Sequence, residues 1–250
     1  AGVPAELSMK FRAGGLCLTS VTAVLLQTAE AGTVSLDDTI DPWMPHLPEA
    51  DQVTLRMLAN CTAGYGDYVP NEDFVAAFEE DPFQYFTPEQ LIEYGLEDGM
   101  LYKPGEGWNY SHTNFVILGV ILEKIHGKTV PQLLEEEIFS PLNLSDTVYT
   151  PGPRLDPPVL HSFSTERGIF EESTFWNPSW TSYSGSVAAP LDDVAKVIRA
   201  IGSAHLITEA SLEEMTAPTT VGLSRNTADR YYGMGIGVGG DWMMQNPNFG

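Results

Sequence analysis

Residues 113–125, TNFVILGVILEKI, form the longest apolar helical pattern in the middle of this 250-residue chain. Hydrophobic side chains would cover nearly every face of a helix over this run, and Gly127 stands two residues beyond it. A helix that is apolar all round is buried, and a glycine just past the last turn commonly ends a helix. The run therefore predicts the central helix of a helical lobe.

Shorter segments on both sides of this run extend the predicted lobe. Residues 54–60 form an amphipathic pattern, and residues 71–80 and 88–97 are two more with polar starts and acidic first turns. Acidic residues in a first turn favour a helix because they complement its dipole. With an acidic helix at 131–139, these segments predict an all-helical lobe over residues 46–145.

The segments outside the lobe predict a second region that contains a sheet. Residues 14–31 form a largely apolar segment ended by Gly32, which predicts a mostly buried helix. Beyond the lobe, helices are predicted at 192–201 and 209–215 and strands at 147–150, 161–165, 168–170 and in a glycine-rich hairpin from residue 231. We therefore assign residues 1–45 and 146–250 to the sheet region.

The charge and composition exclude several classes of function. The chain carries 34 Asp and Glu against 12 Lys and Arg, a net charge of −22. Nucleic-acid binding needs clustered Lys and Arg, so this acidic protein is not expected to bind nucleic acid. No run approaches the ~18 apolar residues of a membrane span, and no signal peptide is recognisable at the start. The histidines and cysteines match no metal-ligand spacing, so we expect no metal and no cofactor.

Four parts of the chain match, in order and spacing, the motifs of one family. They are 11–19 (FRAGGLCLT), 53–64 (VTLRMLANCTAG), 103–119 (KPGEGWNYSHTNFVILG) and the later landmarks at 177–193 and 232–235. Together they resemble the serine β-lactamase and penicillin-binding-protein superfamily, in its branch of class C-like β-lactamases, D-alanyl-D-alanine carboxypeptidases and esterases. The resemblance extends over nearly the whole chain.

The resemblance implies an α/β (α+β) fold of the β-lactamase/transpeptidase kind, with an antiparallel sheet flanked by helices beside an all-helical lobe and the active site in the seam. Members usually have further strands before and after the part of the pattern present here, so we expect a sheet truncated at both ends. The resemblance also implies a small peptidic, β-lactam-like or ester ligand, hydrolysis of an amide or ester through an acyl-serine, and an extracytoplasmic or secreted location.

The motif that supplies the family's nucleophile is altered in this chain. The family pairs a serine with a lysine three residues later on one helix face, S-x-x-K. Counting back from Gly32, these positions fall on Gly15 and Leu18. Glycine has no nucleophile and leucine accepts no proton, so acyl-serine formation is predicted to be impaired.

Two other residues near this motif offer alternatives. Ser20 would take the serine position only after a five-residue deletion, and Ala23 would then replace the lysine. Cys17 lies about 200° around the helix from Gly15. We interpret Cys17 as a small buried hydrophobe rather than a nucleophile.

The second motif of the family, Y-S-N, is here Tyr110, Ser111 and His112. Tyr110 can still relay a proton, and a histidine brings a group that titrates near neutral pH. We name Tyr110 and His112 as the catalytic candidates, with a drifted loop residue as the alternative interpretation of His112. Cys61, where the resemblance places a histidine, and Ser111 are predicted to line the cleft.

The sequence is compatible with three functions. The chain is a divergent homologue with silenced acyl transfer, a repurposed enzyme that uses Tyr110 and His112 as acid and base, or an altered or incomplete chain of an active hydrolase. The third family motif, a Lys or His followed by x-Gly, has its closest candidate in residues 246–250, NPNFG. The sequence therefore leaves open whether the chain is an enzyme.

Overall fold

Eight α-helices hold most of the regular structure of residues 4–245, the part of the chain that this computed structural model describes. They are α1 (Leu16–Glu30), α2 (Leu55–Ala59), α3 (Glu72–Glu80), α4 (Pro88–Leu96), α5 (His112–His126), α6 (Val130–Leu134), α7 (Leu191–Gly202) and α8 (Glu209–Thr216). The helix predicted over 131–139 is instead α6 followed by a π-helical turn at Glu135–Phe139. The other predicted helices are confirmed to within one or two residues at each end.

Eight short strands in the described residues form three small antiparallel sheets. They are β1 (Phe11–Arg12), β2 (Val148–Tyr149), β3 (Phe163–Ser164), β4 (Glu171–Glu172), β5 (Val187–Ala189), β6 (Arg230–Tyr232), β7 (Gly237–Gly239) and β8 (Trp242–Met244). The sheet orders are β1-β5-β2, β3-β4 and β6-β7-β8. Helices around antiparallel sheets confirm the predicted fold class. The strand predicted at 168–170 is wrong, because these residues form the β3–β4 turn, with Gly168 at φ 77°.

Polar residues at the starts of α2, α3 and α4 explain why those helices begin where they do. The side chains of Thr54, Asn71 and Thr87 accept hydrogen bonds from backbone N–H groups in the first turns of α2, α3 and α4. At α4 the bond is reciprocal, since Gln90 also binds the backbone of Thr87. Such caps satisfy N–H groups that have no partner inside the helix.

Helices α1 and α5 pack against each other in the core, as their apolar sequences require. Both also contact the short 3₁₀ turn Ser182–Ser184. Gly127 ends α5 in the left-handed region, at φ 64°, and its N–H donates to the carbonyl of Glu123. The helix predicted over residues 113–125 is therefore confirmed.

The third sheet joins the N-terminal half of α1 through the turn between β6 and β7. Thr19 Oγ1 donates to the carbonyl of Gly235 at 2.8 Å. Gly235 has φ +63°, and a Cβ there would lie 2.2 Å from Thr22 Oγ1. The predicted role of the glycines in this segment, close approach of backbone to a neighbour, is confirmed at this position. Within residues 4–245 no helix has the length and apolar character needed to cross a membrane.

Candidate active site

A cavity of about 790 Å³ lies where the N-terminal ends of α1 and α5 face the β6-β7-β8 sheet. Gly15 borders it at the head of α1, and His112 borders it at the head of α5. The loop before α5 contributes Trp108 and Tyr110, and the sheet contributes Tyr232 among others. The structure therefore brings together three of the residues that the motifs singled out.

Gly15 and Leu18 take different positions relative to this cavity. Gly15 is the residue that precedes α1, with φ −57° and ψ −10°, and no side chain caps the helix there. Leu18, one turn along, is 1% exposed and belongs to the hydrophobic core. The wall at the head of α1 thus carries neither a hydroxyl nor an amine from these positions.

The alternative residues on α1 are both buried. Ser20 is fully buried, and its Oγ donates to the carbonyl of Leu16 at 2.8 Å within the helix. Cys17 is fully buried with its Sγ 3.3 Å from the carbonyl oxygen of Tyr183. Burial raises the pKa of the Cys17 thiol to about 12, so the thiol stays protonated at neutral pH. The interpretation of Cys17 as a buried hydrophobe is confirmed.

His112 contacts a carboxylate that the sequence analysis did not identify. Its Nδ1 lies 3.0 Å from Oδ2 and 3.2 Å from Oδ1 of Asp67, and its backbone N–H donates to Asp67 Oδ1 at 3.1 Å. The side chains of His112 and Asp67 are 13% and 12% exposed. The two residues lie 45 positions apart in a contact that no local spacing reveals. In the sequence, Asp67 appears only as an acidic residue after Gly66, with nothing that links it to His112.

Tyr110 stands beside this pair. Its ring meets the His112 ring nearly perpendicularly, with centroids 4.9 Å apart, and meets the Tyr232 ring at 5.6 Å. Burial raises the pKa of the Tyr110 phenol, and the nearby Cys61 and Asp67 raise it further. Tyr110 therefore keeps its proton at neutral pH and acts as a hydrogen-bond donor rather than as a base.

Cys61 and Ser111, which we predicted to line the cleft, are fully buried instead. Ser111 Oγ donates to the carbonyl of Gly66 at 2.8 Å, which ties the head of α5 to the loop after α2. Burial raises the pKa of the Cys61 thiol to about 12. Neither side chain is among the described residues that border the cavity.

Two arginines give the cavity a positive rim. Arg225 and Arg230 border it, with the single carboxylate Glu166 among the bordering residues described. The guanidinium carbon of Arg225 lies 5.3 Å from the centre of the Trp108 ring, within the range of a cation–π contact. Within residues 4–245 neither arginine forms an ion pair with a carboxylate. In a chain of net charge −22, this rim is locally suited to an anion.

The described residues contain no group of three or more His, Cys, Asp or Glu side chains arranged to hold a metal ion. Residues 246–250, which include the candidate for the third motif, lie outside the described part of the chain. Among the described residues, Gly15, Tyr110 and His112 are the motif positions that border the cavity, and Asp67 contacts His112.

The chain is similar in sequence to known proteins of one family. Penicillin-binding protein 4* of Bacillus subtilis is 28% identical over 259 residues, which cover 97% of this chain and 52% of that protein. The D-alanyl-D-alanine-carboxypeptidase/endopeptidase AmpH of Escherichia coli is 30% identical over 153 residues, or 59% of this chain and 39% of that protein. The chain thus spans about half the length, or less, of these curated relatives.

Solved structures and a family profile agree with these relatives. A D-stereospecific amidohydrolase from Streptomyces sp. superposes with a TM-score of 0.85 at 30% identity, covering 92% of this chain and 71% of that one. D-amino acid amidase from Ochrobactrum anthropi shares the fold, with a TM-score of 0.78 at 23% identity over 95% of this chain and 68% of that one. The Beta-lactamase family profile matches residues 18–250. The chain belongs to the β-lactamase family.

Proposed function

We propose that the chain is a divergent serine-hydrolase homologue whose cavity binds a small peptidic, β-lactam-like or ester ligand, and in which acyl transfer to a serine is impaired. The observation that carries this proposal is the position of Gly15, which borders the cavity at the head of α1 and has no side chain. In the family reaction that position supplies the attacking hydroxyl. Without that hydroxyl, the position at the head of α1 that borders the cavity offers no nucleophile to a ligand carbonyl.

The class of ligand is inferred from the relatives and from the charge of the rim. One relative is a D-alanyl-D-alanine carboxypeptidase/endopeptidase and one structural neighbour a D-stereospecific amidohydrolase, so peptide and amide ligands have precedent. Arg225 and Arg230 favour a ligand that carries a carboxylate. An extracytoplasmic or secreted location, implied by the resemblance, belongs to the same proposal.

The two regions of the chain meet at the proposed site. We infer that residues 46–145 act as the helical lobe and residues 1–45 and 146–250 as the sheet region. The lobe contributes Tyr110 and His112 to the cavity, and the sheet region contributes Gly15 and the two arginines. A ligand in the cavity would therefore touch both regions.

Labelling with a fluorescent penicillin and with a fluorophosphonate tests the proposal, and intact-protein mass spectrometry is the readout. We expect no covalent adduct, while benzylpenicillin raises the melting temperature by binding reversibly. A mass shift located on any serine would overturn the impairment of acyl transfer. The absence of any binding by penicillin, by small peptides and by esters would overturn the ligand assignment.

A second candidate function is the repurposed enzyme in which Tyr110 and His112 act as acid and base. The contact between His112 and Asp67 favours it, because an oriented imidazole is the usual general base of an enzyme. Hydrolysis of an ester panel, abolished in His112→Asn, is the expected result. No activity on a broad ester and amide panel would contradict it.

The alternative of an altered or incomplete chain has its own test. Sequencing the gene around codon 15 and beyond codon 250 decides whether Gly15 and Leu18 belong to the natural protein. A serine and a lysine codon at these two places would replace the proposal with the family's ordinary reaction.

A further inference from the structure

The loop carboxylate of Asp67 holds His112 at three points. Its two oxygens lie 3.0 and 3.2 Å from the imidazole Nδ1, and Oδ1 also accepts the backbone N–H of His112 at 3.1 Å. Asp67 is itself fixed, because Oδ1 accepts the N–H of Val69 at 3.3 Å. Both side chains are nearly buried. The ring of His112 is therefore held in one orientation at the edge of the cavity.

This contact selects one tautomer of His112. An ionised carboxylate only accepts hydrogen bonds, so the Nδ1 that faces it must carry a proton. In the neutral imidazole the lone pair then lies on Nε2. An imidazole with a fixed tautomer and a lone pair beside a cavity has the properties of a general base.

We propose that Asp67 is the positioning residue of His112, and that the pair activates a water molecule for direct attack on the carbonyl of an ester bound in the cavity. This inference rests on the ester class of the proposed function, but it needs no nucleophile on α1. It therefore explains how a cavity bordered by Gly15 can retain hydrolytic chemistry.

The proposed reaction balances with water as the only co-reactant. Nε2 of His112 takes a proton from water while the water oxygen bonds to the carbonyl carbon. The bond from that carbon to the alcohol oxygen then breaks, and the proton on Nε2 passes to the departing alkoxide. The products are one carboxylic acid and one alcohol, and no acyl-enzyme forms. Tyr110, protonated and edge-on to the His112 ring, supplies a hydrogen-bond donor for the carbonyl oxygen.

Asp67 makes two kinds of contact: it orients the His112 ring, and it accepts backbone N–H groups, one of them at the start of α5. Oδ1 receives the two backbone N–H groups, whereas Oδ2 makes the shorter contact with Nδ1. In Asp67→Asn the amide oxygen can keep the place of Oδ1 and preserve the cap. The NH₂ group then faces Nδ1, which must become the acceptor, and the lone pair is lost from Nε2.

NMR of the ¹⁵N-histidine-labelled protein tests the tautomer without any ligand. The His112 signals are identified by their loss in His112→Gln. We expect an Nδ1–H tautomer in the wild type and an Nε2–H tautomer in Asp67→Asn, at an unchanged melting temperature. An Nε2–H tautomer in the wild type would overturn the inference.

Hydrolysis of p-nitrophenyl acetate tests the chemistry. We expect Asp67→Asn to lower kcat about tenfold or more at a similar KM, and His112→Gln to lower it by about 100-fold. His46→Gln serves as the control, since His46 is an exposed histidine outside the cavity, and should leave the rate unchanged. Equal kcat in the wild type and Asp67→Asn, or no hydrolysis by the wild type, would overturn water activation. A covalent adduct would instead overturn the proposed function, so the two failures are distinguishable.

Discussion

The ring of Tyr183 fills the space in which residue 119 would carry a side chain. A Cβ at Gly119 would lie 2.1 Å from Cδ2, 2.5 Å from Cγ and 2.8 Å from Cβ of Tyr183. The carbonyl of the same tyrosine lies 3.3 Å from the thiol of Cys17 on α1. Tyr183 therefore joins α1 to α5, the two helices whose N-terminal ends border the cavity.

Gly119→Ala should destabilise the protein by about 1–3 kcal/mol through overpacking. Alanine normally gains about 1 kcal/mol over glycine inside a helix. The clash outweighs this gain because it involves atoms next to the Tyr183 backbone, which a ring rotation cannot remove. Denaturant unfolding measures the change. Gly152→Ala is the control, since a Cβ at Gly152 meets no atom within 4 Å and should alter stability little. A stabilised Gly119→Ala variant would contradict the packing described here.

The sequence predicted the helices well because their apolar patterns and caps are local. The long apolar segments became α1 and α5, and Gly127 ends α5 as predicted. Residues 168–170 were wrongly assigned to a strand, because β-type composition does not distinguish a hairpin strand from its turn. The local pattern carries no information about which segments meet in three dimensions.

The candidate site was predictable only in part for the same reason. The motif spacing identified Tyr110 and His112, and both border the cavity. Asp67 was missed because it lies in a loop 45 residues before His112, the first residue of α5, and no local pattern reveals their contact. Cys61 was expected in the cleft, but its backbone adopts φ 63° and its side chain is buried, which motif spacing does not reveal.

Restoring the family's serine at position 15 and its lysine at position 18 tests whether the cavity is still arranged for acyl transfer. The backbone of Gly15, at φ −57° and ψ −10°, accepts any L-residue, so Gly15→Ser should fold. Leu18→Lys places an ammonium at a position that is 1% exposed, which should lower the melting temperature. We expect the double variant to bind fluorescent penicillin covalently and to hydrolyse p-nitrophenyl esters with a burst. Gly15→Ser with Leu18→Met, which lacks the amine, is the matched control and should remain unlabelled. A folded but unreactive double variant would show that the arrangement is lost.

The two thiols should be unreactive in the native protein. Burial raises the pKa of both Cys17 and Cys61 to about 12, so at about pH 8 only about one thiol in 10,000 is ionised. We expect no reaction with a disulfide reagent such as DTNB in the folded state and full reaction of both thiols in guanidinium chloride. Because the folded-state pKa values are raised, any native reaction should increase with pH. Rapid labelling of the native protein near pH 8 would contradict the burial of the thiols.

The arginine rim should contribute to the binding of anionic ligands. Arg225 and Arg230 border the cavity, and Arg225 lies over Trp108. Because Arg225 is exposed, its contribution is that of a surface ion pair, about 0.2–1 kcal/mol, or up to about fivefold in Kd. We expect Arg225→Gln to weaken benzylpenicillin binding by this factor in calorimetry, with a smaller loss at high salt because salt screens the interaction. Arg199→Gln, an exposed arginine on α7 away from the cavity, is the control for net charge. Equal losses in both variants would mean that the net charge of −22, rather than the rim, governs ligand binding.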